Sequence, residues 1–200
     1  MTKYLSKWYI YLLSVLIVVV SFCLGVSFKV APSAEERIDI FICAKECNTA
    51  SLIEKLNNNK PTDVVTVNLN FHYCTHSNFS YIYSSFRTEV DILILPSEYL
   101  KDNERNVIDY SAPIKKDEFE QYLGFAPTYY VKDEYYRGIK IYDKDTKEGI
   151  LKEDITYCDE YYSSDYYLFF NYRSVNLGFL NDSVTDNALE LVRAIYNENL

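Results

Sequence analysis

The distribution of apolar and polar positions divides the chain into two regimes. From Trp8 to Phe28 no residue carries a charge, and Lys7 and Lys29 bound the run. A helix of that length, at 1.5 Å per residue, spans a hydrocarbon core of roughly 30 Å. The pattern predicts a transmembrane helix over 8–28, with a tail at 1–7 and a linker at 29–37. A cleaved signal peptide wants a shorter apolar stretch and small residues at its cleavage site, which Val26-Ser27-Phe28-Lys29 does not offer. Lipidation at Cys23 wants a small residue before it, and Phe22 stands there; the reading taken is an uncleaved anchor. Lys3 and Lys7 precede the span with no acid beside them, so the positive-inside bias predicts a cytoplasmic N-terminus and an extracytoplasmic domain over 38–200.

After the span the pattern alternates between strand-like and helix-like periods. Ile38-Asp39-Ile40-Phe41-Ile42-Cys43-Ala44 is a β-branched, nearly continuous apolar run, as in a strand covered on both faces. Asn48 or Ser51 can cap a following helix, with Glu54 in capping-box register to Ser51 and Leu52, Ile53 and Leu56 as its stripe. Val64 to Phe71 reads as a second strand, and Phe79, Ile82, Tyr83 and Phe86 set out the stripe of a second helix from Ser77. Asp91-Ile92-Leu93-Ile94-Leu95 is the third strand, stopped at Pro96. Strand, helix, strand, helix, strand within so short a segment predicts two right-handed parallel crossovers. The expected fold is α/β, an open, mostly parallel sheet with flanking helices behind the transmembrane helix, with Ile40, Ile42, Val65, Val67, Ile92 and Ile94 in the core.

Beyond Pro96 the periodicity loosens. A short helix is expected at 115–123, then a Tyr-rich hairpin turning at Arg137-Gly138, a polar turn over 143–149, extended stretches at 150–157 and 166–170, and a closing helix near 184–197.

Composition sharpens this picture. Five Gly and five Pro in 200 residues exclude collagen-like and low-complexity classes. All 29 acidic residues follow residue 34, against 17 basic ones after residue 29, so 30–200 carries a net −12. That excess argues against nucleic acid or anionic headgroups as partners, because phosphate recognition needs a basic patch, and the sequence displays none. The 21 Tyr are a second feature. Doublets such as Tyr129-Tyr130, Tyr135-Tyr136, Tyr161-Tyr162 and Tyr166-Tyr167 read either as sugar-stacking platforms or as strand pairs with one ring in the core and one outside.

Catalytic signals are sparse. There is no Gly-x-Ser-x-Gly elbow, phosphate loop or His-Glu-x-x-His, and both His fall in His72-Tyr73-Cys74-Thr75-His76. On an extended strand, His72, Cys74 and His76 share one face, and Cys43 and Cys47 end the neighbouring strand. That set admits zinc, but the reading taken is ordinary core and loop residues with no metal, and a disulfide among Cys43, Cys47, Cys74 and Cys158 has three pairings that the sequence leaves open. No enzyme activity and no cofactor are expected.

The order of Ile38–Ala44, Val64–Phe71 and then Asp91-Ile92-Leu93-Ile94-Leu95-Pro96-Ser97-Glu98-Tyr99 resembles the first lobe of bacterial extracellular solute-binding proteins. Ala112-Pro113-Ile114, Gly138–Tyr142 and Tyr166–Asn171 resemble later segments of the same lobe, so the match covers roughly 38–172. The resemblance implies a single periplasmic-binding-protein-like lobe that captures a sugar or peptide, without chemistry, for a membrane permease. By the rule for open α/β sheets, ligand-facing groups would come from the strand carboxyl ends: Lys45, Glu46 and Cys47, then Tyr73 and Cys74, then Ser97, Glu98 and Tyr99. After Asn171 only 172–200 remain, enough for a loop and one helix, so no second lobe is expected. A second copy would have to complete the cleft, or the chain would serve instead as an interaction or sensor module without a small ligand.

Overall fold

A computed structural model of the chain describes residues 2–30, 32–73, 75–157 and 163–199. Helix α1 covers Thr2–Val30, and its window Lys7–Leu24 has a mean hydropathy of 2.1 with none of it buried. It is therefore long and apolar enough to cross a membrane. It belongs to a first unit over 1–33, and Ala34–Leu200 forms a second.

The second unit is built on the predicted crossovers. Strand β1 (Arg37–Cys43), a two-residue β2 (Glu46–Cys47), helix α2 (Thr49–Asn59), β3 (Thr66–His72), α3 (His76–Phe86) and β4 (Ile92–Pro96) follow in order. Asn48 caps α2 by accepting a hydrogen bond from the Ser51 N–H. Thr75 and Asn78 form a capping box at α3. Next come α4 (Ser97–Tyr110), α5 (Lys116–Leu123), β5 (Tyr129–Lys132), β6 (Tyr135–Asp143), β7 (Glu148–Gly149), β8 (Ile155–Thr156), β9 (Tyr166–Phe170) and α6 (Asn187–Asn199).

The sheet runs β3-β1-β4-β9-β6-β5, with β7 beside β6, and it is mixed rather than mostly parallel. β3, β1 and β4 are parallel, Cys43 lying opposite His72 and Ile42 opposite Ile94. β9 then enters antiparallel between β4 and β6, because 163–165 delivers its first residue, Tyr166, beside Pro96 at the carboxyl end of β4. The second strand starts at Thr66, two residues later than expected. Val65 consequently precedes the ladder, donates its N–H to the Glu36 carbonyl at 2.7 Å and is 59% exposed, where a core position was expected. Pro96 does not stop the third strand but ends it as a member, and Ser97 opens a fourteen-residue helix that the periodicity missed. The hairpin turns at Asp133-Glu134, both at positive φ (50° and 68°), instead of Arg137-Gly138. Gly138 lies within β6 because the Phe169 ring crosses it: a Cβ there would sit 2.8 Å from two ring carbons. The stretch 150–157 turns rather than extends, leaving only β8 to pair with β2.

Alternation along β1 feeds two cores. Ile38, Ile40 and Ile42 pack with Leu52 and Leu56 of α2 and with Leu191, Val192 and Ile195 of α6. Phe41 and Cys43 face the other way with Leu93, Leu95 and Phe169, against Phe79 and Tyr83 of α3 and Leu100 and Val107 of α4. Each fully buried side chain of this size contributes about 1.5–3 kcal/mol. The amino-terminal edge of the sheet is closed by hydrogen bonds. Buried Asp91 accepts from the Asp39 N–H at 2.7 Å, from Asn176 Nδ2 at 3.1 Å and from the Ser174 hydroxyl. Asn171 Nδ2 donates to the carbonyls of Arg87 and Val90 at 2.9 and 2.7 Å.

Candidate functional site

The parallel register places the carboxyl ends of β1, β3 and β4 on one edge of the sheet. β6 runs the same way as β4, so Asp143 at its end shares that edge. On this edge Lys45 Nζ lies 5.2 Å from the centre of the Tyr73 ring, and Tyr73 is 53% exposed. Two expected site residues from different loops thus form a cation–π pair. Glu46 is exposed on β2, opposite Thr156 of β8. Cys47 beside it is half-buried, and burial together with the nearby Asp154 charge pushes its thiol up to about 11. A thiol held protonated is a poor nucleophile and a poor metal ligand at neutral pH.

Ser97 and Glu98 meet a segment that the sequence reading had not linked to them. The Ser97 hydroxyl is 3.1 Å from that of buried Ser164, its N–H donates to the Asp165 carbonyl at 2.8 Å, and the Glu98 N–H donates to Ser164 Oγ at 3.3 Å. Ser164 thereby caps the start of α4 from outside the helix. Tyr99, expected to face a ligand, is instead a core ring at 7% exposure, 5.2 Å from Phe79, because the helix periodicity turns that position inward.

The edge continues into charges that no motif announced. Lys140 Nζ bridges Asp143 Oδ2 at 2.7 Å and Asp165 Oδ1 at 3.1 Å, and the Lys144 N–H donates to Asp165 Oδ1. The Lys140 ammonium, with the Thr146 and Asp145 N–H groups, holds the Asp143 carboxyl well below the usual carboxylate range. Only spatial pairing of β6 with β9 brings Lys140 to Asp165, so no sequence spacing could have shown it. A polar groove of about 690 Å³ lined by Asn48, Ser51, Glu54, Glu153 and Asp154 flanks the β2 side.

The zinc reading required His72, Cys74 and His76 on one extended strand. The strand ends at His72 and α3 begins at His76, so the two histidines do not share a strand face. The His72 ring stacks 5.6 Å from Phe41 and 4.7 Å from Phe86. Cys74, Cys158, Tyr161 and Tyr162 lie outside the described residues, and among those described no three His, Cys, Asp or Glu are grouped to hold a metal. Several of the other tyrosines pack on one another, with Tyr129–Tyr136 at 4.8 Å, Tyr130–Tyr167 at 5.3 Å and Tyr142–Tyr157 at 4.6 Å, and of the described doublets only Tyr166-Tyr167 has one ring in the core, Tyr129 and Tyr130 both being half-buried.

No protein-family model matches the chain, and neither a curated protein nor a solved structure matches it. The solute-binding resemblance therefore stands on the strand order and the quoted segments alone.

Proposed function

We propose that the chain is a membrane-anchored interaction module whose working surface is the carboxyl edge carrying Lys45, Glu46, Tyr73, Ser97 and Glu98, and that it binds a protein partner rather than enclosing a solute. One observation carries this reading: 34–200 is one compact unit around one seven-stranded sheet and the small β2–β8 pair, and among its described residues no second lobe faces the edge to close over it. Tight small-molecule sites bury most of the ligand, which an open edge does not do. In this reading the anchor holds the domain outside the cell. Capture of a sugar or peptide for a permease is the second reading, favoured by the Lys45–Tyr73 pair, and it needs a second copy to cover the edge.

The test places a photo-crosslinking amino acid at Tyr73, or at the control position Tyr81 on α3, in the full chain in intact cells. A discrete protein adduct from Tyr73 and none from Tyr81 is expected. A rise in thermal stability of the full chain with a sugar or short peptide, abolished by Lys45→Ala and Tyr73→Ala, would overturn the module in favour of solute capture.

A further inference from the structure

The two outer strands of the large sheet differ in how they guard their open side. An outer strand presents backbone groups that a further strand could pair, and folded proteins block this with short strands, bulges, lysine or proline. β5 has three of these devices: it is four residues long, its register shifts between Tyr130 and Val131, and it ends on Lys132. β3 has none of them. Its seven residues pair with β1 in unbroken register, and among the described residues no strand lies beyond them. β3 also sits inside a charge-free run of 23 residues, Val64 to Phe86, where the next longest such run after residue 30, 121–131, is eleven. A groove of about 520 Å³ follows this side, lined by Ile53 of α2, Phe86 of α3 and Val67 to Asn70 of β3. Its charged members are Arg37 and Asp39, which pair with each other at 3.0 Å, and Glu89.

We infer that β3 pairs antiparallel with β3 of a second copy, extending the sheet across a two-fold axis at Leu69. The order of residues in the strand selects this occupant. Leu69 is the midpoint of Thr66–His72, so the pairing sets Leu69 against its counterpart, Val67 against Phe71 and Asn68 against Asn70. Apolar side chains then meet on the face where Val67, Leu69 and Phe71 pack with α2, and amides meet on the other face. Such directly opposed like-with-like pairs are the unit of sheet stabilisation. An extended segment of another protein would not require this mirror order in β3. Charge selects the same occupant. A two-fold contact lays one patch on its own copy, and 30–200 carries a net −12, so most faces would oppose like charges while β3 brings none. Antiparallel pairing turns the two carboxyl edges in opposite directions, so neither closes over the other.

The full chain is purified in detergent micelles and its protein mass measured by light scattering. Twice the 23.5 kDa of one chain is expected. Leu69→Lys sets two ammonium groups against each other at the axis and should weaken the dimer about tenfold. Mixing Leu69→Lys with Leu69→Glu chains should restore it, while Val131→Lys on β5 leaves it unchanged. Register is read by oxidising chains that carry Asn68→Cys or Asn70→Cys, with the parent's own cysteines as background. Co-expressed, the two should give several-fold more disulfide-linked dimer than either alone, because Asn68 faces Asn70 directly and its own counterpart only on the diagonal. A monomeric parent would overturn the inference. So would a dimer that resists Leu69→Lys, which would place the contact elsewhere, for example between anchor helices, or one that Val131→Lys disrupts, or equal cross-linking in the mixed and single samples. The parent mass and the cross-links hold whether or not the lysine variant folds.

Discussion

Asp91 shows how much one polar residue organises. Its buried carboxylate accepts three hydrogen bonds, from β1, Ser174 and Asn176, and burial raises its pKa while those donors pull the other way. Asp91→Ala would remove the acceptor of the Asp39 N–H and of the Ser174 hydroxyl, while Asn176 Nδ2 keeps the Ala34 and Arg37 carbonyls, and a destabilisation of about 2–4 kcal/mol by urea titration is expected. Asp91→Asn, which retains one acceptor, should cost less; equal stability of the alanine variant and the parent would refute the role. Gly138 makes the opposite point, that space rather than polarity can dictate a residue. Phe169 is fully buried and cannot yield to a Cβ 2.8 Å away, so Gly138→Ala should destabilise by about 1–3 kcal/mol. A melting temperature equal to the parent's would show the ring free to move. Neither residue stood out in the sequence, since Asp91 read as the first residue of a strand and Gly138 as a turn glycine.

At the scale of elements, the three parallel strands were legible because Ile38–Ala44 and Ile92–Leu95 are nearly continuous apolar runs and Val64–Phe71 keeps an apolar residue at every second position from Val65 to Phe71. Helix α4 was not, because Asn103 and Glu104 occupy turns where its stripe of Tyr99, Leu100 and Val107 should continue. Glu104 is tolerated there because Tyr130 Oη and Lys132 Nζ donate to it at 2.6 and 2.7 Å, tying α4 to β5. The turn at Asp133-Glu134 was hidden for a related reason: two positive-φ residues are expected to be Asn-Gly or Asp-Gly, and here no glycine marks them. The Glu104 bridge predicts a pH dependence. Hydrogen bonds from Lys132 and Tyr130 lower the Glu104 pKa, so on acidification the unfolded chain takes up its proton first. The stabilisation is complete above the ordinary glutamate value and is lost as pH falls through the lowered one. Asp91 has the reverse sign, regaining stability as pH falls through its raised value. Glu104→Gln should therefore lower the melting temperature at neutral pH by a few degrees, as befits a partly exposed pair worth about 0.5–1 kcal/mol. It should also flatten the acid limb of the stability curve; an acid limb unchanged by the substitution would remove Glu104 as its cause.

For the whole molecule, the candidate edge was only half legible. Lys45 and Tyr73 follow from parallel register, whereas Lys140, Asp143, Ser164 and Asp165 reach the same edge through antiparallel pairing of distant strands. The account depends on this edge being presented outside the cell by an anchored chain, and the exposed turn Asp145-Thr146-Lys147 offers the most direct test. A site for a specific protease is inserted there in the full chain, and the protease is added to intact cells. Cleavage without lysis, with the N-terminal fragment remaining in the membrane pellet, is the expected result; protection in intact cells, with cleavage only after lysis, would contradict it.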